Sequence, residues 1–320
     1  MSGERSRGAV LGLAVGDAAG WPASRHRSVL HAPWSRRLYR ELETFAEEHR
    51  VTTLPVPFAL NQPTAPLAVG PSDDAEWLAW TLLTIERPRA EAFRELAVRQ
   101  DVRGRISVAT ALDNLAKGVE PPASGHDNPH FFDDAAAVRA VAFGLLGRDP
   151  VEDAQVTNAY DGVLGARAMA AAISAAVETG DVGAAVEAAL AVLPEDTAIG
   201  HNAREARKIA KNGAFDAVPA LDALLDDHVY SYAVGAAQTV PAALALAEAA
   251  RGELREAVPA AACLASLADS APALTGALTG ACGGFDAIPE GWIAPARTLA
   301  GCCLPELAGR DIMDLWEELA

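Results

Sequence analysis

Acidic side chains occur at three separate points of the sequence, each beside an apolar or glycine-rich segment. Asp17 follows the run GAVLGLAVG, Asp73 and Asp74 begin the apolar part of GPSDDAEWLAW, and Asp269 stands in a long apolar stretch near the C-terminus. Hard oxygen donors that converge from different helices are what Mg²⁺, Mn²⁺ or Ca²⁺ requires. The three points are therefore candidates for one shared metal site.

The adjacent pair Asp73 and Asp74 has two interpretations. In the first, Ser72 caps a helix that begins at Asp73, and the acidic residues of its first turn favour the positive end of the helix dipole. In the second, a divalent cation turns the repulsion between neighbouring carboxylates into shared coordination. The stretch by itself does not decide between them.

Asp269 is the only charged residue between Ala257 and Phe285, a segment that also holds Pro259 and Pro272. The prolines favour two buried helices joined near Asp269 over a membrane-spanning helix. A buried, unpaired carboxylate costs several kcal/mol or more, so we expect a cation, a metal or strong hydrogen-bond donors beside Asp269. Ser270 follows it directly, as Ser72 precedes the other pair.

Glycines recur every four residues in the first helix, and Asp17 lies near the C-terminal end of that helix. Each interior glycine costs about 1 kcal/mol relative to alanine, so the stripe predicts that another backbone approaches this face closely. A carboxylate near a helix C-terminus is disfavoured by the dipole. Asp17 is therefore expected to have a tertiary partner, either the backbone amides of a neighbouring turn or a ligand in the site.

The loop SGHDNPHFFDD, residues 124–134, concentrates histidine, aspartate and phenylalanine. We hypothesise that it lines the pocket, with His126, His130 and Asp127 as acid/base groups and with Phe131 and Phe132 stacking on a planar base. The alternative is a plain connection that caps the next helix and places both phenylalanines in the core.

Composition excludes several classes of protein. The chain has 320 residues and a formal net charge of −17, from 43 acidic and 26 basic residues, which argues against a nucleic-acid or anionic-membrane partner. Its four cysteines have no zinc-binding spacing and are interpreted as small core residues in a reducing compartment. The N-terminus lacks the layout of a signal peptide. We therefore expect a cytoplasmic protein of unknown oligomeric state.

Alanine-rich segments with helical periodicity dominate the chain, and few segments alternate with period two. The sequence predicts an all-α, single-domain, compact multi-helix bundle over residues 1–320, with two long loops at 51–69 and 117–132. The predicted helices are 5–19, 35–49, 73–87, 90–99, 105–117, 133–147, 151–157, 161–179, 183–193, 197–211, 217–227, 236–251, 254–267, 271–282 and 305–318.

Five motifs, in their order and spacing over nearly the whole chain, resemble the ADP-ribosylglycohydrolase family of all-helical hydrolases. They are GAVLGLAVGDAAGWP, like the family's opening glycine-rich helix with G-D-A-x-G; GPSDDAEWLA, like its T-D-D-T metal motif; DDAAAVRAVAFGLL, like its N-G-x-x-M-R-x-x-P-L-G helix; AQVTNAYDGVLGARAMAAAI, like its T-H segment; and LADSAPALTGALTGACGG, like its closing D-T-D-T-x-A-x-x-x-G-A-x-x-G.

The resemblance implies one or two Mg²⁺ or Mn²⁺ ions that hold the ribose hydroxyls of an ADP-ribosyl group. By position, the metal ligands would be Ser72, Asp73, Asp74, Asp269 and Ser270. Our own hypothesis adds residues to this set: Asp17, Phe131, Phe132 and Asn158 would contact the substrate, and Asp74, Asp127 and His126 would move protons.

Several positions depart from the family pattern. Leu267 replaces the first aspartate of the closing motif, and leucine cannot bind a metal. Ala75 replaces a threonine, Ser24 an acidic residue, and Asn158 the histidine of the T-H segment.

The expected function is metal-dependent hydrolysis of an N- or O-glycosidic bond to ribose, in a small-molecule or ADP-ribosylated substrate. The alternative is a non-catalytic relative that binds ADP-ribose or a nucleotide as a sensor, or serves as a scaffold.

Overall fold

The computed structural model describes residues 2–20, 70–226, 234–264 and 266–319. Within these ranges the chain is built of α-helices, and β-structure is limited to two isolated bridges. The helices are α1 Ser2–Gly20, α2 Asp73–Thr84, α3 Arg89–Ala97, α4 Ile106–Ala116, α5 Ala123–His126, α6 Ala135–Leu145, α7 Val151–Thr157, α8 Asp161–Thr179, α9 Val182–Ala191, α10 Ala198–Ile209, α11 Ala214–Leu225, α12 Ala236–Ala249, α13 Leu254–Ala262, α14 Ala271–Gly283, α15 Glu290–Arg297 and α16 Ile312–Glu317.

The central contact of the bundle joins α1 to α14, and the glycine stripe makes it possible. A Cβ atom on Gly12 would lie 2.1 Å from the carbonyl oxygen of Gly276, and one on Gly8 would lie 2.2 Å from that of Gly280. Real Cβ atoms do not come this close to backbone, so only glycine fits. The predicted close approach is confirmed. The approaching backbone is that of α14, the helix that follows Asp269.

The remaining helices pack around this pair through an alanine-rich core. Val10, Leu78 and Ile173 contribute fully buried side chains to the main core from three different helices. Small side chains let helices lie close together at high packing density. The all-α prediction is confirmed.

Most predicted helices are present, with boundaries that differ by a few residues. Two predictions fail in part. The last helix begins at Ile312, because Pro305–Leu307 forms a separate 3₁₀ turn. The prediction over 254–267 ends too late, because α13 stops at Ala262 and turns lead to Asp269.

Two elements were not predicted as helices, α5 inside the loop 117–132 and α15. The helix at 35–49, the loop at 51–69 and Ser24 lie outside the described residues.

The apolar segment around Asp269 forms two separate buried helices, α13 and α14, as predicted. Among the helices described, none is long and apolar enough to cross a bilayer.

Candidate functional site

The two acidic motifs meet around a buried guanidinium, that of Arg105. Its Nη2 atom lies 2.7 Å from Asp74 Oδ1, 3.3 Å from Asp269 Oδ2 and 3.7 Å from Asp73 Oδ2. Arg105 also donates to the carboxylate of Asp134 and to the hydroxyl of Ser270. These six residues are called the Arg105 cluster: Asp73, Asp74, Arg105, Asp134, Asp269 and Ser270.

The cluster is shielded from solvent. Arg105 is 3 % exposed, and Asp269 is its most accessible acid at 8 %. Burial lowers the pKa of Arg105, but the carboxylates of Asp74, Asp269, Asp73 and Asp133 outweigh this and hold that pKa above its ordinary value. The expectation that Asp269 has a cation beside it is confirmed, and within the described ranges that cation is an arginine.

Asp17 holds the first acidic motif in place from a different helix. Its Oδ2 accepts hydrogen bonds from the backbone amides of Ser72, at 2.7 Å, and Ala75, at 3.0 Å. The Ser72 hydroxyl lies 3.0 Å from Asp17 Oδ1 and 2.9 Å from Asp73 Oδ1. Of the two roles expected for Asp17, the structure has it accepting amides of a neighbouring turn.

The predicted capping role of Ser72 is wrong. Ser72 occupies the N-cap position of α2, but its side chain accepts no hydrogen bond from the first turn. Asp17 accepts instead from the amide of Ser72 itself and from that of Ala75 in the first turn, across 55 or more residues of sequence. The carboxylate is the stronger acceptor because it is charged.

The second acidic motif reaches the cluster through the turn before α14. Ser270 occupies the N-cap position of α14, and Asp269 precedes it. Because α14 packs backbone to backbone on α1, and α1 also carries Asp17, one helix pair fixes both motifs. This coupling explains why residues about two hundred positions apart meet.

The oxygen donors of the cluster are the types that Mg²⁺ and Mn²⁺ prefer. The guanidinium of Arg105, however, lies against the acids of both motifs and the Ser270 hydroxyl. Leu267, at the position of one expected ligand, is fully buried in an apolar part of the core. In this arrangement the residues do not fit a divalent ion at the point where the two motifs meet.

A separate cavity of about 660 Å³ opens beside the loop 124–134. His126, Asp127 and Asn158 are among its lining residues. The wall as a whole is formed by Pro122, Ala123, His126, Asp127, Val151, Gln155, Asn158, Ala159, Tyr160, Val163, Leu164 and Arg167. This wall, as described, shares no residue with the Arg105 cluster. We call this cavity the His126 cavity.

Tyr160 gives the His126 cavity its polar edge. Its hydroxyl lies 3.0 Å from His126 Nε2, and its ring packs edge-on against Phe131 at 5.6 Å between centroids. The backbone of Tyr160 has φ 46° and ψ −117°, in a region that favours glycine. Such strain costs about 1–3 kcal/mol and is typical of functional sites. Tyr160 is also 65 % exposed.

The two phenylalanines of the loop are half-buried. Phe132 stacks on His130 with 5.4 Å between ring centroids, and Phe131 lies edge-on to Phe132. Phe131 and Phe132 are therefore neither an exposed surface for stacking nor fully buried core residues. They form an aromatic row that continues through Tyr160.

Asn158 joins the cavity to the neighbourhood of the cluster. Its side-chain amide donates to Asp133 Oδ1 at 2.9 Å and to the Phe131 carbonyl, and its Oδ1 accepts from Thr157. Asp134, the next residue, pairs with Arg105. The segment 131–134 therefore contacts the aromatic row at one end and the Arg105 cluster at the other.

Arg105 and Asp134 are members of the cluster that sequence reasoning missed. Arg105 stands in the basic stretch VRGRIS, which is typical of an exposed helix start. The available signal was indirect, because several buried acids without a nearby basic residue in sequence require a distant cation.

Glu76, Cys302 and Cys303 form the one group of metal-type ligands found in the part of the chain that the structure describes. Glu76 already accepts the backbone amides of Cys302, Cys303 and Leu304 at 2.8, 2.8 and 3.0 Å. A hydrogen bond with Cys302 and burial raise the pKa of Cys303 well above its ordinary value. This group is structural, in agreement with the interpretation of the cysteines.

Comparisons with known proteins cover the whole chain. The ADP-ribosylglycohydrolase family profile matches residues 2–320. A solved structure described as an "ADP-ribosylglycohydrolase-related protein complex" has 19 % sequence identity and a TM-score of 0.59, over 100 % of this chain and 99 % of that one. At this identity the likeness concerns the fold. No curated protein matches the sequence. From the full-length profile match we conclude that the chain belongs to the ADP-ribosylglycohydrolase family.

Proposed function

We propose that the chain hydrolyses an N- or O-glycosidic bond to ribose in an ADP-ribosylated or nucleoside-like substrate. Membership of a glycohydrolase family supports hydrolase chemistry in general. The observation that carries the finer proposal is the meeting of both acidic motifs at one buried point, while Asn158 in the wall of the His126 cavity donates to Asp133, the residue before the cluster's Asp134.

Buried acceptor oxygens of the Arg105 cluster, and of Asp133 beside it in sequence, are suited to a sugar diol. Asp269 Oδ1, Asp133 Oδ2 and Asp134 Oδ2 are buried and accept no hydrogen bond from the described residues. An unsatisfied buried carboxylate oxygen is costly, and a ribose hydroxyl would satisfy it by donating a hydrogen bond. Asp269 is the most accessible of these acids to a substrate.

Carboxylates near the anomeric carbon also stabilise a transition state with oxocarbenium character. Arg105 fixes the carboxylates in this arrangement before substrate arrives, which is the preorganisation that electrostatic catalysis needs. The proposal assigns binding and charge stabilisation to the cluster.

Two carboxylates are candidates for the base that takes a proton from the attacking water. Asp74 is buried and paired with Arg105, whereas Asp127 is exposed in the cavity wall. His126, with its Nε2 beside the Tyr160 hydroxyl, is placed to donate a proton to a leaving group in the cavity. Phe131 and Tyr160 offer aromatic faces to a planar base.

The test is incubation of the protein with a panel of ADP-ribosylated peptides and nucleosides, with released ADP-ribose or ribose followed by chromatography. Asp269→Asn is expected to remove turnover, whereas Asp113→Asn, an exposed acid on α4, should retain it. Absence of product from every substrate would contradict the proposal.

A second set of variants separates the two candidate bases. If Asp127 is the base, Asp127→Asn and His126→Ala lower kcat while His201→Ala, an exposed histidine outside the cavity, does not. If Asp74→Asn alone lowers kcat, the cavity has no part in the chemistry.

The sensor alternative can be tested on one observation, the pairing of the cluster acids with Arg105 where the resemblance implies a metal. It predicts saturable ADP-ribose binding by calorimetry and no product from the same panel. Turnover of any substrate excludes it.

A further inference from the structure

The oxygen atoms around Arg105 are of the types that bind hard cations. Four carboxylates and one hydroxyl surround a single guanidinium: Asp73, Asp74, Asp134, Asp269 and Ser270. Proteins use this number and type of oxygen ligands for hard divalent ions. Here the Nη1 and Nη2 atoms of Arg105 contact all five of these groups.

The backbone holds Arg105 in this position. Arg105 is the extended N-cap residue of α4, and its carbonyl accepts the amide of Ala109 at 2.9 Å. Two residues earlier, the amide of Arg103 donates to the carbonyl of Cys303, whose own amide is held by Glu76. The start of α4 is thus fastened to α2 and to the turn at 302–304. Arg105 enters the cluster from a fixed point.

Moving Arg105 out of the cluster would be unfavourable. It would leave several carboxylates buried without their cation, and breaking even one buried ion pair is strongly destabilising because an uncompensated charge remains. Arg105 cannot exchange these contacts for water as a surface arginine can, because only 3 % of the residue is exposed.

Charge arithmetic links Arg105 to the departure at Leu267. Leucine in place of an aspartate removes one negative charge, and the guanidinium adds one positive charge. Together they change the local charge by two units, which is the charge of one divalent ion. With Leu267 and Arg105 the cluster therefore has the same net charge as it would have with an aspartate at position 267 and a divalent ion in place of the guanidinium.

We propose that Arg105 is a built-in replacement for a divalent metal, so that the cluster is assembled and binds its ligand without Mg²⁺ or Mn²⁺. The inference concerns the cation of the cluster and holds whether or not the chain turns over a substrate. It differs from the metal dependence expected from the sequence.

The test uses Mn²⁺ as the probe, measured by electron paramagnetic resonance and calorimetry on the full chain. The wild type is expected to show no saturable binding. Arg105→Ala uncovers the carboxylates and is expected to bind Mn²⁺ with a dissociation constant of about 1 mM or tighter. Mn²⁺ should raise the melting temperature of this variant and leave that of the wild type unchanged.

Arg139→Ala is the matched control. Arg139 is as deeply buried as Arg105, but among the residues that the structure describes it pairs with a single carboxylate, that of Asp153. Removing it is expected to destabilise the protein without creating Mn²⁺ affinity. Gain of Mn²⁺ binding by both variants would overturn the proposal, because the effect would then come from general loosening.

Two further outcomes would overturn it. One is saturable Mn²⁺ binding by the wild type that Asp269→Asn abolishes. The other is a folded Arg105→Ala variant with no Mn²⁺ affinity. If that variant does not fold, Arg105→Gln is measured in the same way. The wild-type titration needs no variant, since saturable Mn²⁺ binding at Asp269 would contradict the proposal directly. Turnover in excess chelator would support the proposal, whereas absence of turnover bears only on the hydrolase assignment.

Discussion

The Arg105 cluster and the His126 cavity contain similar residue types in opposite environments. In the cluster, the acids are buried and contact an arginine. In the cavity, His126 and Asp127 are exposed, and His126 has a polar contact with the Tyr160 hydroxyl. The first arrangement is stabilised by buried ion pairs, and the second depends on a strained loop.

This difference indicates which region tolerates amino-acid substitution without loss of stability. A buried ion pair cannot lose one partner without leaving an uncompensated charge, so the cluster is rigid and sensitive to substitution. Exposed groups lose little when truncated, so the cavity can change its chemistry at small cost in stability. The predictions below separate the two regions, in order of decreasing effect.

The largest effect is expected from Gly12→Val, which breaks the helix pair that carries the cluster. Its side chain would meet the Gly276 carbonyl, since even a Cβ would lie 2.1 Å away. Neither backbone can move aside, so the variant should lose at least about 3 kcal/mol of unfolding free energy. Denaturant unfolding measures this. Gly3→Val, with no atom within 4 Å of its Cβ position, should stay within about 1 kcal/mol of wild type.

Asp17→Ala is expected to cost about 3 kcal/mol, because two backbone amides of the α2 N-terminus lose a charged acceptor. Chemical unfolding gives the value, and Glu4→Ala, an exposed partner of Arg7, should change it by less than about 1 kcal/mol. The variant should also disturb the acids of the cluster and leave the cavity intact. Equal effects of the two substitutions would refute the role of Asp17 as a cap.

Tyr160→Gly should separate stability from function in the cavity. Glycine relieves the positive φ, so unfolding free energy should rise by about 1 kcal/mol or stay the same. Ligand binding should weaken, because the hydroxyl beside His126 and the ring beside Phe131 are removed. Thermal unfolding and ADP-ribose calorimetry on the same sample check both parts. A clear loss of stability would show that the ring contributes more to packing than the strain costs.

The smallest effect is a pH dependence at His130, whose ring stacks on Phe132 in the aromatic row. Burial lowers the pKa of His130 below its ordinary value of 6.5, and the opposing effect of Asp133 is weaker. The unfolded chain therefore takes up this proton at a higher pH than the folded chain, and stability falls as the pH drops below 6.5. His130→Gln should flatten this fall in melting temperature, and His201→Gln should retain it.

Much of the fold follows from local sequence. The bounds of α7 and α8 agree with the predicted segments at both ends, because helical periodicity and the flanking breaks act over a few residues. The glycine stripe also predicted a close backbone contact correctly. The prediction failed at Pro305–Leu307, where an apolar pattern with a proline suits a 3₁₀ turn as well as a helix.

The candidate site was predictable only in part. Asp73, Asp74, Asp269 and Ser270 do converge, as proposed from their buried settings. His126 and Asp127 were expected beside them and lie instead in the wall of a separate cavity. Which acids share a site depends on helix packing, and neither spacing nor composition encodes it. The roles of these residues remain predictions.

By itself, the sequence determined the helices, the presence of buried acids and the requirement that Asp269 have a positive or strongly donating partner. Only the tertiary structure decided that this partner is Arg105, which lies 31 residues from Asp74 and 165 residues from Ser270. Helical periodicity reports which face of a segment is buried, since it reflects neighbours within one or two turns. The identity of a counter-ion depends on which helix ends meet in space, and backbone packing between distant segments sets that.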